Sequence, residues 1–253
     1  MSLAGNAATS LRRDGPLVFA GHTFRSLSDR LMVAAAVKKL HRLGGGLGSG
    51  AAIDFAYDFA VGDVTIAPIQ VRSEIEELLN RVEGDHPRTI LEIGTANGGS
   101  LFLFTRAAHD QATIVSVDLP GGSFGGGYAA SRVPLYAAFA RAEQQVELIR
   151  ADSHDPATRK HVERILEGRP VDFLFIDGDH ALEGVRADFE LYTPLVREGG
   201  LIAMHDIVPG SRDMVGGVPD FWRGVKERHE GEEIVADWNQ GGSGIGVLRK
   251  QAR

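Results

Sequence analysis

The stretch Thr89-Ile-Leu-Glu-Ile-Gly-Thr-Ala-Asn-Gly-Gly-Ser100 decides how this chain folds. An apolar run closes around Glu92 and Ile93, breaks at Gly94, and passes through Gly98 and Gly99 into the apolar segment Leu101–Ala108. A buried parallel strand that turns sharply into a helix reads this way. Glycines at such a turn let the backbone approach a ligand closely, and the start of the helix offers unpaired N–H groups to an anion.

Working outward, strand and helix signals alternate from residue 88 onward. Candidate strands are Thr89–Ile93, Thr113–Asp118, Val146–Arg150, Val171–Ile176, Leu201–His205, Glu233–Asp237 and Gly244–Leu248. Helices are expected at Gly98–Ala108, Val133–Gln144, Pro156–Leu166, Leu182–Val196 and Pro219–Glu230, with Asp155-Pro156 as a cap followed by a first-turn proline. This alternation implies an α/β, Rossmann-like, doubly wound sheet of about seven strands, mostly parallel, with helices on both faces. A short glycine-rich link around Asn239–Gly242 suits a hairpin, so the last strand is expected to run antiparallel.

Upstream of the sheet, residues 1–20 are polar and mixed and are expected to be disordered or loosely packed. Leu27–Leu43 carries a helical stripe of Met32, Val33, Ala36, Val37, Leu40 and Leu43, with Ser26 or Ser28 as its cap. Gly44–Gly50 reads as a flexible connector, Ile53–Phe59 is apolar and aromatic, and Gln70–Val82 has helical spacing. A boundary near residue 60 divides an extension, 1–60, with the character of a lid or a dimer arm, from a domain at 61–253.

Composition sets outer limits. The 253 residues carry a net charge of −7, which argues against a general nucleic-acid binder, whose affinity comes mainly from Lys and Arg. Cysteine is absent, which removes disulfides and thiolate metal sites. No apolar run approaches the length of a membrane span and no signal-peptide core is seen, so a cytoplasmic setting is expected.

Ligands of such sheets sit beyond the carboxyl ends of the strands. Glu92, Asp118, Asp152 with Ser153, Asp177 with His180, and His205 with Asp206 all fall there. Any one acid after a strand reads as a turn residue or helix cap; five in succession at one edge are hard to assign to capping. A dinucleotide fingerprint fails because Ala96 stands at its second glycine, and a phosphate-cradling loop fails because no lysine follows Gly98 or Gly99. What remains is Glu-x-Gly-x-x-x-Gly followed by Asp118, a carboxylate able to accept both hydroxyls of a ribose.

At these residues the chain resembles the class I S-adenosylmethionine-dependent methyltransferases over roughly residues 65–250. Within them it looks most like the metal-dependent O-methyltransferases of small molecules and sugars, and like the cephalosporin-hydroxylase-like proteins with an Ile176-Asp-Gly-Asp-His180 motif. The resemblance implies a cofactor set of Glu92, Gly94, Thr95, Gly98, Ser100, Asp118, Asp152 and Ser153. In it Gly94 and Gly98 make room for the methionine part, Glu92 and Ser100 hold its polar ends, Asp118 binds the ribose, and Asp152 and Ser153 flank the adenine. It also implies a divalent cation on Asp177, His205 and Asp206, with His180 as base.

That chemistry has a physical rationale. The sulfonium is already a good electrophile, so an enzyme needs to align the atoms and deprotonate the acceptor hydroxyl. A divalent cation lowers that hydroxyl's pKa, and a histidine can take the proton. The chain departs from the pattern at His205, where relatives carry an oxygen ligand. Magnesium prefers oxygen and imidazole favours other first-row metals, so either the ion is not magnesium, or His205 does not ligate, or no ion binds. Asp179 reads as a cap or orienting partner. Pro120–Tyr128 has the character of a lid bearing Phe124 and Tyr128, and Val208–Trp222 is expected to close over substrate, with Trp222 itself more typical of core. The expected activity is methyl transfer to a hydroxyl of a small-molecule acceptor, sugar or natural product. A hydroxylase on the same scaffold and a non-catalytic cofactor-binding module are the rivals, and a homo-oligomer is compatible with the extension.

Overall fold

The structure, a computed structural model, describes residues 28–121 and 126–252. Expectations for residues 1–20, for Ser26 as a cap and for Phe124 lie outside the described residues. Helix α1 occupies 28–43, followed by α2 Ser49–Asp58, a small hairpin of β1 Ala60–Val61 and β2 Val64–Thr65, and α3 Arg72–Asp85. The main series is then β3 Thr89–Ile93, α4 Gly99–Ala107, β4 Thr113–Asp118, α5 Val133–Ala137, β5 Gln145–Arg150, α6 Pro156–Leu166, β6 Val171–Ile176, α7 Leu182–Tyr192 and β7 Val196–His205. It closes with α8 Arg212–Val215, α9 Val218–Lys226, β8 Gly231–Ile234 and β9 Ile245–Arg249.

The seven-stranded sheet has the order β5-β4-β3-β6-β7-β9-β8. Strands β3 to β7 pair in parallel, and β9 inserts between β7 and β8, antiparallel to both. Alternate residues of each central strand enter opposite layers. Ile90, Ile114 and Phe173 meet α1 to α5 on one face, whereas Leu91, Val115 and Leu174 meet α6, α7 and α9 on the other. Burial on both faces is why β3 and β4 read as largely apolar runs. Val33, Ala36 and Leu40 of α1 and Ala52, Ile53 and Ala56 of α2 belong to the same apolar cluster as the sheet. Among the described residues no helix is long and apolar enough to cross a membrane.

Several elements differ from the sequence reading. The helix expected over Val133–Gln144 ends at Ala137. Beyond it, Arg141 and Gln144 turn their side chains onto the main-chain oxygens of Thr105 and Ala108, at 2.8–3.2 Å, and Ala142 takes φ +49. Docking to the end of α4 overrides helical propensity there. The glycine connector is shorter than expected because α2 starts at Ser49, and Leu43 is 47% exposed instead of facing the core. Helix α7 yields to a 3-10 turn, Thr193–Leu195, and β7 begins at Val196. Strand β8 lies at Gly231–Ile234, two residues before the expected start. The Asp155 cap forms as expected, accepting from the Ala157 N–H at 2.8 Å ahead of Pro156.

The tips of β3 and β6 nearly touch. Gly94 has φ +92, and a Cβ there would stand 1.9 Å from the Asp177 carbonyl oxygen. Gly94→Ala must therefore push β3 and β6 apart while holding a disfavoured backbone, and is expected to cost roughly 3 kcal/mol. Urea denaturation checks this; a loss below about 1 kcal/mol would show that the strand tips yield.

Candidate active site

The carboxyl ends of the parallel strands open onto a cleft of about 590 Å³. Its walls include Gly94, Ala96, Asp118, Asp152, Ser153, His154, Asp177, His180, His205 and Asp206, so most of the predicted strand-end residues converge.

On one side stands the glycine bend. Asp118, at the tip of β4, accepts the N–H groups of Thr95 at 2.9 Å and Ala96 at 2.8 Å on one oxygen. Its other oxygen accepts those of Leu119 at 2.7 Å and Gly127 at 3.0 Å. A carboxylate has about four acceptor positions, and these four bonds use them. Asp118 is thus a clasp between the bend and the segment after β4, and gripping a sugar there requires exchanging some of these bonds. The end of the expected lid is anchored: Tyr128 is buried, packs edge-on to Tyr136 at 4.9 Å between centroids, and lies 5.6 Å from the Arg150 guanidinium.

Four residues of the expected cofactor set do not line the cleft. Gly98 has φ +81 and its open side is filled by Tyr136, 2.7 Å from where a Cβ would be, so packing accounts for this glycine. Thr95 contributes its N–H to Asp118, and its hydroxyl bonds Ser116. Glu92 is fully buried behind the bend, accepting from Ser100 and Ser116 hydroxyls at 2.6 Å each. Ser100 therefore serves Glu92. Burial pushes the Glu92 carboxyl up to about 8 despite the two hydroxyl donors, which favour its anion. Asp152 and Ser153 lie on the wall, where Asp152 accepts the His154 N–H at 2.9 Å and the Ser153 carbonyl accepts the Tyr192 hydroxyl at 2.7 Å.

On the other side, β6 and β7 deliver a charged cluster. The Asp177 Oδ1 accepts from His205 Nδ1 at 3.1 Å, and the Asp206 Oδ2 lies 3.5 Å from that same nitrogen. His180 Nε2 stands 3.7 Å from Asp177 Oδ1 and 3.4 Å from Asp206 Oδ2. Its Nδ1 bonds the Met214 carbonyl at 2.5 Å, which turns Nε2 toward the carboxylates. Gly216 and Gly217 make this possible: the loop before α9 rests on the His180 main chain, and a Cβ on Gly216 would lie 2.0 Å from its carbonyl oxygen. Asp206 holds φ +65 while its Oδ1 accepts the Ser243 N–H at 3.0 Å, strain of the kind that gathers at functional sites.

Among the described residues, the side chains whose donor atoms fall close enough to share one ion are Asp177, His180 and Asp206. The resemblance names His205 where this set has His180, and His205 Nδ1 also lies 3.1 and 3.5 Å from the two carboxylates. His205, the last residue of β7, is 4% exposed and its Nδ1 is engaged with Asp177. Burial opposes charge on His205, but the Asp177 and Asp206 carboxylates outweigh it and raise its pKa to about 10. Burial likewise opposes ionisation of Asp177, yet the two imidazoles hold it well below the usual carboxylate range. Asp179 accepts the Ala181 N–H at 2.8 Å, a turn-forming role. Trp222 is core, with its Nε1 bonded to Glu233 at 3.0 Å.

The sequence reading missed Gln70, which donates to Asp177 Oδ2 at 2.6 Å, and Glu74, which accepts the Ala236 and Gly244 N–H groups and so pins the β8–β9 connection. Each is read as an ordinary helix-start polar residue until its partner, more than a hundred positions away, is known.

The Glu92 environment makes a pH prediction. The folded chain keeps this proton up to about 8 while the unfolded chain loses it near 4.5, so stability falls as pH rises through that window. Glu92→Gln removes the slope, and its stability relative to wild type is expected to rise by roughly 3 kcal/mol between pH 5 and pH 8. Thermal or urea unfolding across this range decides it, and parallel pH profiles would contradict the buried-proton assignment.

Residues 91–207 match the model of a family described as a methyltransferase domain. The protein R132 of Acanthamoeba polyphaga mimivirus is 32% identical over 143 residues, covering 52% of this chain and 57% of that one, so the match spans little more than half of the relative. Among solved structures, an O-methyltransferase from Bacillus cereus in complex with S-adenosylhomocysteine superposes with TM-score 0.55 at 19% identity, covering 85% of this chain and 97% of that one. The O-methyltransferase TomG from Streptomyces achromogenes, in complex with S-adenosylmethionine, gives 0.51 at 18% identity, covering 87% and 96%. Residues 91–207 thus match a methyltransferase-domain family model, and the seven-stranded sheet shares its fold with these O-methyltransferase structures.

Proposed function

We propose that this chain transfers a methyl group from S-adenosylmethionine to a hydroxyl of a small-molecule acceptor of sugar or natural-product type, with a divalent cation at the acidic cluster. The observation that carries the reading is that the Asp118-clasped glycine bend and the Asp177–His180–Asp206 cluster face one another across a single cleft. Its volume of about 590 Å³ lies within the range of small-molecule and cofactor sites. Asp177 and Asp206 supply the carboxylate oxygens that a divalent cation takes.

When bound, the sulfonium supplies an activated methyl group and the cation lowers the pKa of the acceptor hydroxyl. The chain's own residues do the rest. Gly94 and Ala96, half-buried at the bend, line the wall that would take the nucleoside, and Asp152 and Ser153 border the same wall. Asp177 and Asp206 would hold the cation, with His180 beside them. His180 Nε2 is the site for the acceptor proton, because the Met214 carbonyl takes its other nitrogen. Hydrogen bonding to Asp177, against the opposing effect of burial, raises His180 to about 9. With the cluster metal-free this base therefore carries a proton at neutral pH, and a cation between the carboxylates would relieve it.

Two outcomes test the reading. Calorimetry with S-adenosylhomocysteine is expected to show binding, and labelled S-adenosylmethionine is expected to transfer its methyl to a member of a hydroxylated-acceptor panel. Transfer should fall at least about a hundredfold in Asp177→Ala and His180→Ala. Without added cation, transfer by the wild type should climb from pH 7 toward pH 9, since His180 must lose its proton to act; added Mn²⁺ should move the climb to lower pH. Metal-dependent oxidation with no methyl incorporated would instead favour a hydroxylase on this scaffold.

A further inference from the structure

Gln70 lies outside every motif in the sequence, yet it reaches the centre of the charged cluster. It sits in an extended strap, residues 66–71, that joins the β1–β2 hairpin to α3. Ile66, Pro68 and Gln70 turn inward and are buried, whereas Ile69 is 64% exposed on the cleft wall. The strap lies directly on the start of α4. A Cβ at Gly99 would meet the Pro68 nitrogen at 2.4 Å and the Ile66 carbonyl at 2.6 Å, so this glycine is required for the seat. From the other side α2 clamps the strap: the Tyr57 hydroxyl donates to the Gln70 carbonyl at 2.8 Å, while Arg72 pairs with Asp54 and sits 5.5 Å from the Tyr57 ring.

Held in this way, the Gln70 Nε2–H donates to Asp177 Oδ2 at 2.6 Å, with Gln70 itself 5% exposed. The opposite oxygen, Oδ1, accepts from His205 at 3.1 Å. The carboxylate is thus gripped at both oxygens from two different elements, which fixes its rotation and keeps Oδ1 toward His180 Nε2 and the Asp206 side of the cluster. The donor is a neutral amide. It can orient the anion without cancelling its charge, which an Arg or Lys at this place would do.

We propose that Gln70 is the positioning residue for Asp177, through which α2 and the strap set the orientation of the carboxylate that faces the acceptor. The inference rests on the proposed methyl-transfer reading for its consequence in turnover, and on the hydrogen-bond geometry alone for its structural content. A group that orients a ligating or reacting carboxylate influences function by about 10–100-fold.

The test uses the full chain and three variants. Gln70→Met keeps the length and bulk of the side chain without a donor, Gln70→Glu sets a carboxyl against Asp177, and Gln70→His restores a donor at similar reach. Crystals of wild type and variants grown with S-adenosylhomocysteine are expected to show the Asp177 carboxylate turned away from His205 in Gln70→Met and in wild-type orientation in Gln70→His. In solution, methyl transfer to the acceptor panel should drop at least about tenfold in Gln70→Met, further in Gln70→Glu, and recover in part in Gln70→His. Affinity for S-adenosylhomocysteine by calorimetry should stay within about twofold throughout, because the Gln70 side chain bonds Asp177 and not the Asp118-clasped bend. An unmoved carboxylate in Gln70→Met, or turnover equal to wild type, overturns the proposal while leaving the methyl-transfer reading intact. Wild type that binds no S-adenosylhomocysteine overturns that reading and the predicted turnover effects with it, and the crystals then judge the positioning role alone.

Discussion

The contact on which the site depends is the approach of two strand tips, where the Gly94 backbone lies against the Asp177 carbonyl. Parallel pairing brings β3 and β6 side by side, with Ile93 opposite Ile176 in register. The next residue of each strand begins a different half of the site: Gly94 starts the bend clasped by Asp118, and Asp177 starts the charged cluster. Only a residue without a side chain lets these halves share one cleft, which is why a glycine follows β3 while acids end β4 and follow β6 and β7.

Charge in the cleft is organised by who donates to each carboxylate. Asp118 is served by four main-chain N–H groups, a rigid arrangement that fixes two loops against one another. Asp177 is served by side chains, Gln70 and His205, and Asp206 by one main-chain N–H and the two imidazoles nearby. Glu92 is the exception, a carboxyl met only by two hydroxyls in a fully buried setting, where the neutral acid is favoured. So four acids that look alike along the chain have separate roles: clasp, cluster member, strained partner and buried proton holder.

The helices before the sheet are joined to this arrangement through the strap. Helix α2 touches it at Tyr57, α4 supports it at Gly99, and its inward residue reaches Asp177. The same helices bury Ile53, Ala56 and Val33 in the cluster that covers one face of the sheet. Burial of that apolar surface is what holds the strap in place, so the N-terminal helices and the charged cluster are mechanically linked.

The local pattern of the sequence was sufficient for the central strands. Thr89–Ile93, Thr113–Asp118 and Val171–Ile176 have the bounds that their apolar-rich runs indicate, because strands buried on both faces are predominantly apolar. The strand-end acids and histidines were legible for the same reason, since a sheet of this kind places every strand terminus at one edge. Tertiary structure decided the rest. Helix α5 ends early because Arg141 and Gln144 find carbonyl partners on α4, and no local signal encodes partners that far along the chain. Gln70 and Glu74 acquire meaning only from oxygens and N–H groups brought to them by folding. His180 reaches Asp177 and Asp206 because the Gly216-Gly217 loop packs on its main chain and the Met214 carbonyl turns its ring, while His205 meets the same carboxylates from the buried end of β7. Periodicity and motif report which residues arrive at an edge; the direction each side chain takes there is set by its packing neighbours.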